Sequence, residues 1–282
     1  MLLLLSVFLE YCNKTYEITS SQKKKKMFLC FVPIFSYFCI MKRAIVMGAS
    51  SGMGQEVSKL LLQDGWNVGI AARRLEELEA LAAAYPGRVE VMQIDVTDPD
   101  APRLLLELID RLGGVGLYFH ASGVGKQNMS LDAAIEERTV MTNAVGFTRM
   151  VDTVFNYMAS HQGGDIAVIS SIAGTKGLGA APSYSATKSF QNLYIQALEQ
   201  QAHMRDLPIR FTDIRPGFVD TPLLGDGHRY PLLMSKEKVA REILDAIHRH
   251  QHVRVIDWRY RILVPLWRLI PNCLWRRLKV KS

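Results

Sequence analysis

Between residues 43 and 256, short apolar runs alternate with longer segments in which apolar residues recur every three or four positions. The short runs are Ala44–Met47, Asn67–Ala71, Val89–Ile94, Gly116–His120, Ile166–Ser170 and Ile209–Ile214, with a weaker one at Val253–Ile256. They are apolar along their length, as strands buried on both faces are. The longer segments, at about 54–63, 74–84, 99–112, 131–160, 183–204 and 236–249, predict helices that cover those faces. Right-handed crossovers between parallel strands then give an α/β fold, a doubly wound parallel (Rossmann) sheet of about seven strands, in a single domain over 41–256. No internal repeat and no Pro/Gly linker divides 41–248.

The flanks differ from this body. Residues 1–40 hold Lys23–Lys26, followed by an apolar run from Met27 to Met41. That run is short for a membrane span, which needs about 20 apolar residues, and no small-residue cleavage site follows it. Because Lys42-Arg43 leads straight into the first strand, Met41 reads as the native start and 1–40 as upstream sequence. A hydrophobic anchor or a signal segment is the competing reading. The net charge of +7 is uneven: +8 lies in 249–282 and +3 in 1–40, leaving the body at −4. A mildly acidic body argues against a nucleic-acid-binding domain. Cys12, Cys30, Cys39 and Cys273 all lie outside the body, so no disulfide framework is expected and a reducing, cytoplasmic setting fits.

Candidate chemistry concentrates where strands end. In Gly48-Ala-Ser50-Ser51-Gly52-Met53-Gly54, directly after the first strand, missing side chains let backbone amides approach a pyrophosphate at a positive helix end. The second strand ends in Arg73-Arg74. An acidic residue there binds the ribose hydroxyls of NAD, whereas an arginine grips the 2′-phosphate of NADP, so Arg73 favours NADP over NAD. Arg74 is either a second such group or a solvated helix-start charge. Asp95, beside Val96 at the end of the third strand, either accepts a bond from an adenine amino group or caps the next helix, a role Asp98 suits better. Tyr184 and Lys188 stand at i and i+4 on one helix face, where the ammonium favours the phenolate and brings the phenol toward working pH. Ser171 lies upstream of them. No Cys/His/carboxylate cluster accompanies His120, so no metal is expected.

In this order and at these spacings, the glycine turn, Asp95-Val96, Asn143, Ser171, Tyr184/Lys188 and Pro216-Gly217 resemble the short-chain dehydrogenase/reductase family over about 43–256. The resemblance implies an oxidoreductase moving a hydride between NADP(H) and a carbonyl or secondary alcohol, with Tyr184 as general acid/base. It also implies that Ser171 binds the reacting oxygen, that Lys188 holds the nicotinamide ribose, and that Asn143 binds a water in the proton relay. Ser171 rather than Ser170 stands at the family's spacing, thirteen residues before the tyrosine. Pro216, Gly217 and Thr221 match the turn that meets the nicotinamide. Helices 131–160 and 183–204 match the surface through which the family usually forms homo-oligomers.

Two departures stand out. Met47 replaces the family's usual Thr, and His120-Ala-Ser122-Gly123 replaces its usual Asn-Asn-Ala-Gly, leaving Ser122 and Gly123 beside the adenosine. The segment Pro222–Ser235, which the resemblance implies is the substrate loop, carries Leu223, Leu224, Leu232, Leu233 and Met234. These either line an open, hydrophobic site for a small-molecule, lipid-like substrate or pack onto the core. A non-catalytic NADP-binding regulator is the alternative function, disfavoured by the intact Tyr184 set. A sugar epimerase would need a larger C-terminal domain. The tail, 257–282, interleaves Trp, Leu and Ile with Arg and Lys. It is read either as a peripheral membrane-surface segment or as a segment packed on the body or a partner subunit.

Overall fold

The computed structural model describes residues 42–224 and 230–280. The expectations for 1–41, and for 225–229 of the substrate loop, fall outside the described residues. In chain order the elements are β1 (Arg43–Met47), α1 (Gly52–Gln63), β2 (Asn67–Ala72), α2 (Leu75–Ala83), β3 (Val89–Gln93), α3 (Ala101–Leu112) and β4 (Leu117–His120). Then come α4 (Ala133–Val140), α5 (Phe147–Ser160), β5 (Gly164–Ile169), α6 (Pro182–Met204), β6 (Ile209–Arg215), β7 (Val219–Asp220) and β8 (Met234–Ser235). The last are α7 (Lys236–His248), β9 (Val253–Val255), α8 (Trp258–Leu269) and α9 (Asn272–Trp275).

Seven strands form one parallel sheet in the order β3-β2-β1-β4-β5-β6-β9, while β7 and β8 make a separate short pair. The order reverses between β1 and β4, so the strand ends open a crevice there. Period-two alternation divides the core. Ala44, Val46, Phe119 and Ala167 pack under α1 and α7, whereas Ile45, Met47, Tyr118, Ile166 and Val168 pack under α3, α5 and α6.

One expected helix is broken. Residues 131–160 are not a single α-helix: Met141–Gly146 between α4 and α5 is π-helical. A π turn carries one extra residue, so the α-helices on either side keep their own periodicity and the sequence pattern hides the insertion. A Cβ on Gly146 would stand 2.7 Å from the Val96 carbonyl, which shows how closely this segment crosses the loop after β3.

His120, at the end of β4, is fully buried. Its Nδ1 meets the Tyr118 hydroxyl at 2.9 Å, its ring stands edge-on to Phe147, and Nε2 has no partner among the described residues. Burial, aided by the Lys188 charge, pushes its pKa down to about 3.

The tail packs on the body along one face. Tyr260 and Val264 of α8 are buried. The Tyr260 hydroxyl donates to the Pro231 carbonyl at 3.1 Å, and its ring covers Gly217, where an added Cβ would lie 2.7 Å from Cδ2. Trp267 Nε1 donates to Thr175 Oγ1 at 2.7 Å and Trp275 Nε1 to the Gly177 carbonyl at 2.8 Å. Asp257 caps α8 by accepting from the Arg259 amide, and the Arg259 guanidinium holds its carboxyl far below the usual range.

Tyr260→Ala should therefore cost about 3 kcal/mol in urea unfolding and open the chain beyond Asp257 to limited proteolysis; an unchanged midpoint and digest would refute the seating role. His120 has a folded pKa below its unfolded value, so the unfolded chain binds the extra proton between the two. Its contribution to stability is complete above pH about 6.5 and is lost as pH falls toward about 3. His120→Asn should flatten that part of the stability–pH curve.

Candidate active site

The crevice at the β1/β4 switch is walled first by the turn after β1. Gly48 has φ +94, and a Cβ there would come within 2.7 Å of the Ser122 amide nitrogen. Only glycine lets the turn run this close to the strand β4 loop. Ser51 occupies the N-cap of α1 without a side-chain cap bond, which leaves first-turn amides for an anion. Gly54 lies under the Gly48 carbonyl, and Met53 is packed against the core. This bare, uncapped turn has the shape and polarity that a nucleotide pyrophosphate requires.

At the end of β2 the two arginines separate. Arg73 is exposed, and its main-chain carbonyl accepts from Gln93 Nε2 at 2.7 Å. Arg74 reaches back to Ser50 Oγ at 3.1 Å and pairs with Glu77 at 3.1 Å, so it is the arginine that touches the glycine turn. Asp95 uses one carboxylate oxygen for the Thr97 amide and hydroxyl, at 2.9 and 2.8 Å. Asp98 accepts from the amide of Asp100, the N-cap residue of α3, so neither carboxylate caps that helix directly. Val96 is buried beneath Gly146.

The second wall comes from α6. Pro182 opens this helix at its first position, where a missing N–H costs nothing. One turn on, the Lys188 ammonium lies 5.8 Å from the centre of the Tyr184 ring. The expected fall of the Tyr184 phenol toward working pH is not found: burial pushes it up, and the group that partly opposes this is the Ser171 side chain, through a hydrogen bond, rather than the Lys188 charge. Ser171 Oγ also accepts from the Ala173 amide at 3.1 Å. Ser170 points elsewhere: its hydroxyl donates to the buried Asp213 carboxylate and to the Ile214 carbonyl. The structure thus brings Ser171, not Ser170, to Tyr184.

Lys188 is buried and donates to the Ile169 carbonyl and to Gln191 Oε1, each at 2.9 Å. Burial pushes its pKa down to about 8, against an opposing pull from Asp213. Asn143 sits in the π-helical segment with its side chain wholly engaged. Its Oδ1 accepts from the Val124 amide at 2.9 Å, and its Nδ2 donates to the Val124 carbonyl at 2.7 Å and to Thr187 Oγ1 at 3.2 Å. Its main-chain carbonyl accepts from Gln191 Nε2 at 2.8 Å.

Two residues escaped the sequence reading. Gln191 is fully buried and links Lys188 to Asn143. The available signal was a glutamine on the inward face of α6, at i+3 from Lys188. Gly125 lies against the Tyr184 ring, with an added Cβ only 2.7 Å from Cε2. On the same side a Cβ at Gly123 would be 3.6 Å from the Lys188 ammonium, and Ser122 is half-buried. Across the crevice, Ile172 donates its amide to the Pro216 carbonyl at 3.2 Å, and Thr221 lies against Gly52. Met234 joins the core, whereas Leu223, Leu232 and Leu233 are exposed and Leu224 is half-buried.

Comparison with known proteins agrees with this architecture. The family model for short chain dehydrogenase matches residues 42–229. An uncharacterised oxidoreductase of Myxococcus xanthus is 30% identical over 240 residues, covering 83% of this chain and 94% of its own. One from Mycobacterium tuberculosis, also uncharacterised, is 26% identical over 246 residues, covering 84% of this chain and 96% of its own. In fold, the crystal structure of a short-chain dehydrogenase from Streptomyces avermitilis superposes with a TM-score of 0.71 at 23% identity, over 80% of this chain and 92% of that one. A family model that runs from the start of β1 past β7, and a relative matched nearly end to end, establish that this chain belongs to the short-chain dehydrogenases, a family of oxidoreductases.

Proposed function

We propose that the protein is an NADP-dependent dehydrogenase/reductase that interconverts a small-molecule carbonyl and the corresponding secondary alcohol. The observation that carries this reading is the buried Lys188 ammonium 5.8 Å from the Tyr184 ring centre, with Ser171 bonded to the same phenol. When bound, the nicotinamide supplies and accepts the hydride. The protein's part is proton transfer and placement. Ser171 donates to the reacting oxygen while Tyr184 gives it a proton in reduction, or takes one from the alcohol in oxidation. Lys188 stabilises the resulting phenolate as a nearby positive charge. The turn of Gly48, Ser50, Ser51, Gly52, Met53 and Gly54 would hold the pyrophosphate. Arg73, with Arg74 behind it on Ser50, would meet the 2′-phosphate.

Asn143 and Gln191 act through Lys188. Gln191 offers the ammonium an uncharged acceptor and is itself fixed by the Asn143 carbonyl. Asn143, through Val124, also shapes the loop that carries Gly125 against Tyr184.

A panel of carbonyls and alcohols followed at the nicotinamide absorbance, with NADP and NAD in parallel, tests the reading. Tyr184→Phe should lower kcat by about 100-fold or more without loss of cofactor binding. Failure to bind either cofactor would end the proposal, and binding without turnover on the whole panel would point instead to a nucleotide-binding regulator. Arg73→Glu should weaken NADP by about ten- to a hundredfold and NAD far less. For Gln191, replacement by Leu should reduce kcat about tenfold and move the alkaline limb of the pH profile downward, because the ammonium loses an acceptor. Gln191→Glu should move the limb upward; identical shifts for both variants would reduce Gln191 to a packing residue.

A further inference from the structure

Helix α8 has two apolar faces, and only one is covered. Tyr260, Val264 and Trp267 recur at i, i+4 and i+7 and make the docked face. At about 100° per residue, Trp258, Ile262, Leu266 and Leu269 fall on the opposite face. They are 65%, 55%, 57% and 78% exposed. On that projection Arg261 and Arg268 border the strip on one side and Arg259 on the other. The pattern continues past the helix, where exposed Leu274 and Leu278 alternate with exposed Arg276, Arg277 and Lys279.

Scattered exposed apolar side chains are ordinary, but a continuous strip edged by cations calls for an occupant. Charge selects it. Arg254, Arg259 and Arg261 each have a carboxylate nearby, whereas Arg268, Arg276, Arg277 and Lys279 form no ion pair among the described residues. A two-fold contact with a second copy would set these cations against themselves. A nucleic acid would answer the cations and leave the Trp/Ile/Leu strip in water. An anionic bilayer surface answers both, taking the strip into the acyl boundary and the guanidinium groups into the headgroups. No described helix is long and apolar enough to cross a membrane, so α8 would lie on the surface rather than span it.

We propose that the outer face of α8, continued through residues 270–279, lies in the headgroup layer of a membrane containing anionic lipid. The inner face of the same helix bonds Thr175, four residues after Ser171, and Pro231, in the segment read as the substrate loop. The segment read as the substrate loop would then stand close to the bilayer surface. The membrane contact does not depend on the redox reading and is tested apart from it.

The full chain is sedimented with vesicles of phosphatidylcholine alone and of phosphatidylcholine mixed with phosphatidylglycerol. Binding to the mixed vesicles should be at least about tenfold tighter, and should weaken severalfold when salt is raised to about 0.5 M. Ile262→Glu combined with Leu266→Glu, at positions that leave the docked face intact, should lower binding at least about tenfold. Arg276→Ser with Arg277→Ser should do the same through charge, at about fivefold per cation. Brominated acyl chains should quench a part of the fluorescence that disappears in Trp258→Phe. Each variant is first checked for an unchanged thermal melt. Equal sedimentation of wild type and the Ile262/Leu266 variant overturns the proposal. So does a dimer that this variant dissociates and that ignores vesicles, since a second copy would then be the occupant.

Discussion

The ammonium of Lys188 is buried, and the arrangement around it follows from the cost of keeping a charge away from water. Two uncharged oxygens face it, from the end of β5 and from Gln191, while the Asp213 carboxylate acts from farther off. An ammonium this sparsely compensated is easily deprotonated, and its pKa is pushed down accordingly. Its hold on the proton therefore depends on the few groups that face it. Asn143 and Gln191 gain their importance from this: they fix the geometry of an interaction that has little margin.

Much of the fold was legible because strands buried on both faces leave continuous apolar runs, and those runs located all seven strands of the sheet to within two residues. The site was legible where backbone and chemistry impose residue types. Glycine at 48 follows from the close approach of the β4 loop, and the Tyr184/Lys188 spacing follows from the helix repeat. Three things were hidden. The π turn left the periodicity on each side intact. Gln191 escaped notice because only the packing of the π-helical segment against α6 puts the Asn143 carbonyl beside it. The roles of Arg73 and Arg74 depend on side-chain direction, which spacing does not encode.

His120 shows a substitution absorbed by a different bonding scheme. Where relatives of this family carry an asparagine pair, this chain has an aromatic ring that bonds Tyr118 within its own strand and stacks edge-on against Phe147. The strand end is braced by ring packing rather than by amide bonds. The unpartnered Nε2 is the residue of that exchange, one buried polar atom left without a counterpart among the described residues.

The π-helical segment also acts as a phase shifter. Its extra residue rotates α5 relative to α4 by about 100°. Glu136 of α4 can thus receive Asn128 and the Ser183 amide while Phe147, Met150 and Val154 of α5 face the sheet. Deleting one residue between 141 and 146 would let the backbone relax into a continuous α-helix, yet only one of the two helices could keep its partners. Variation in chain length, which surface loops absorb readily, is closed to this stretch by angular register alone.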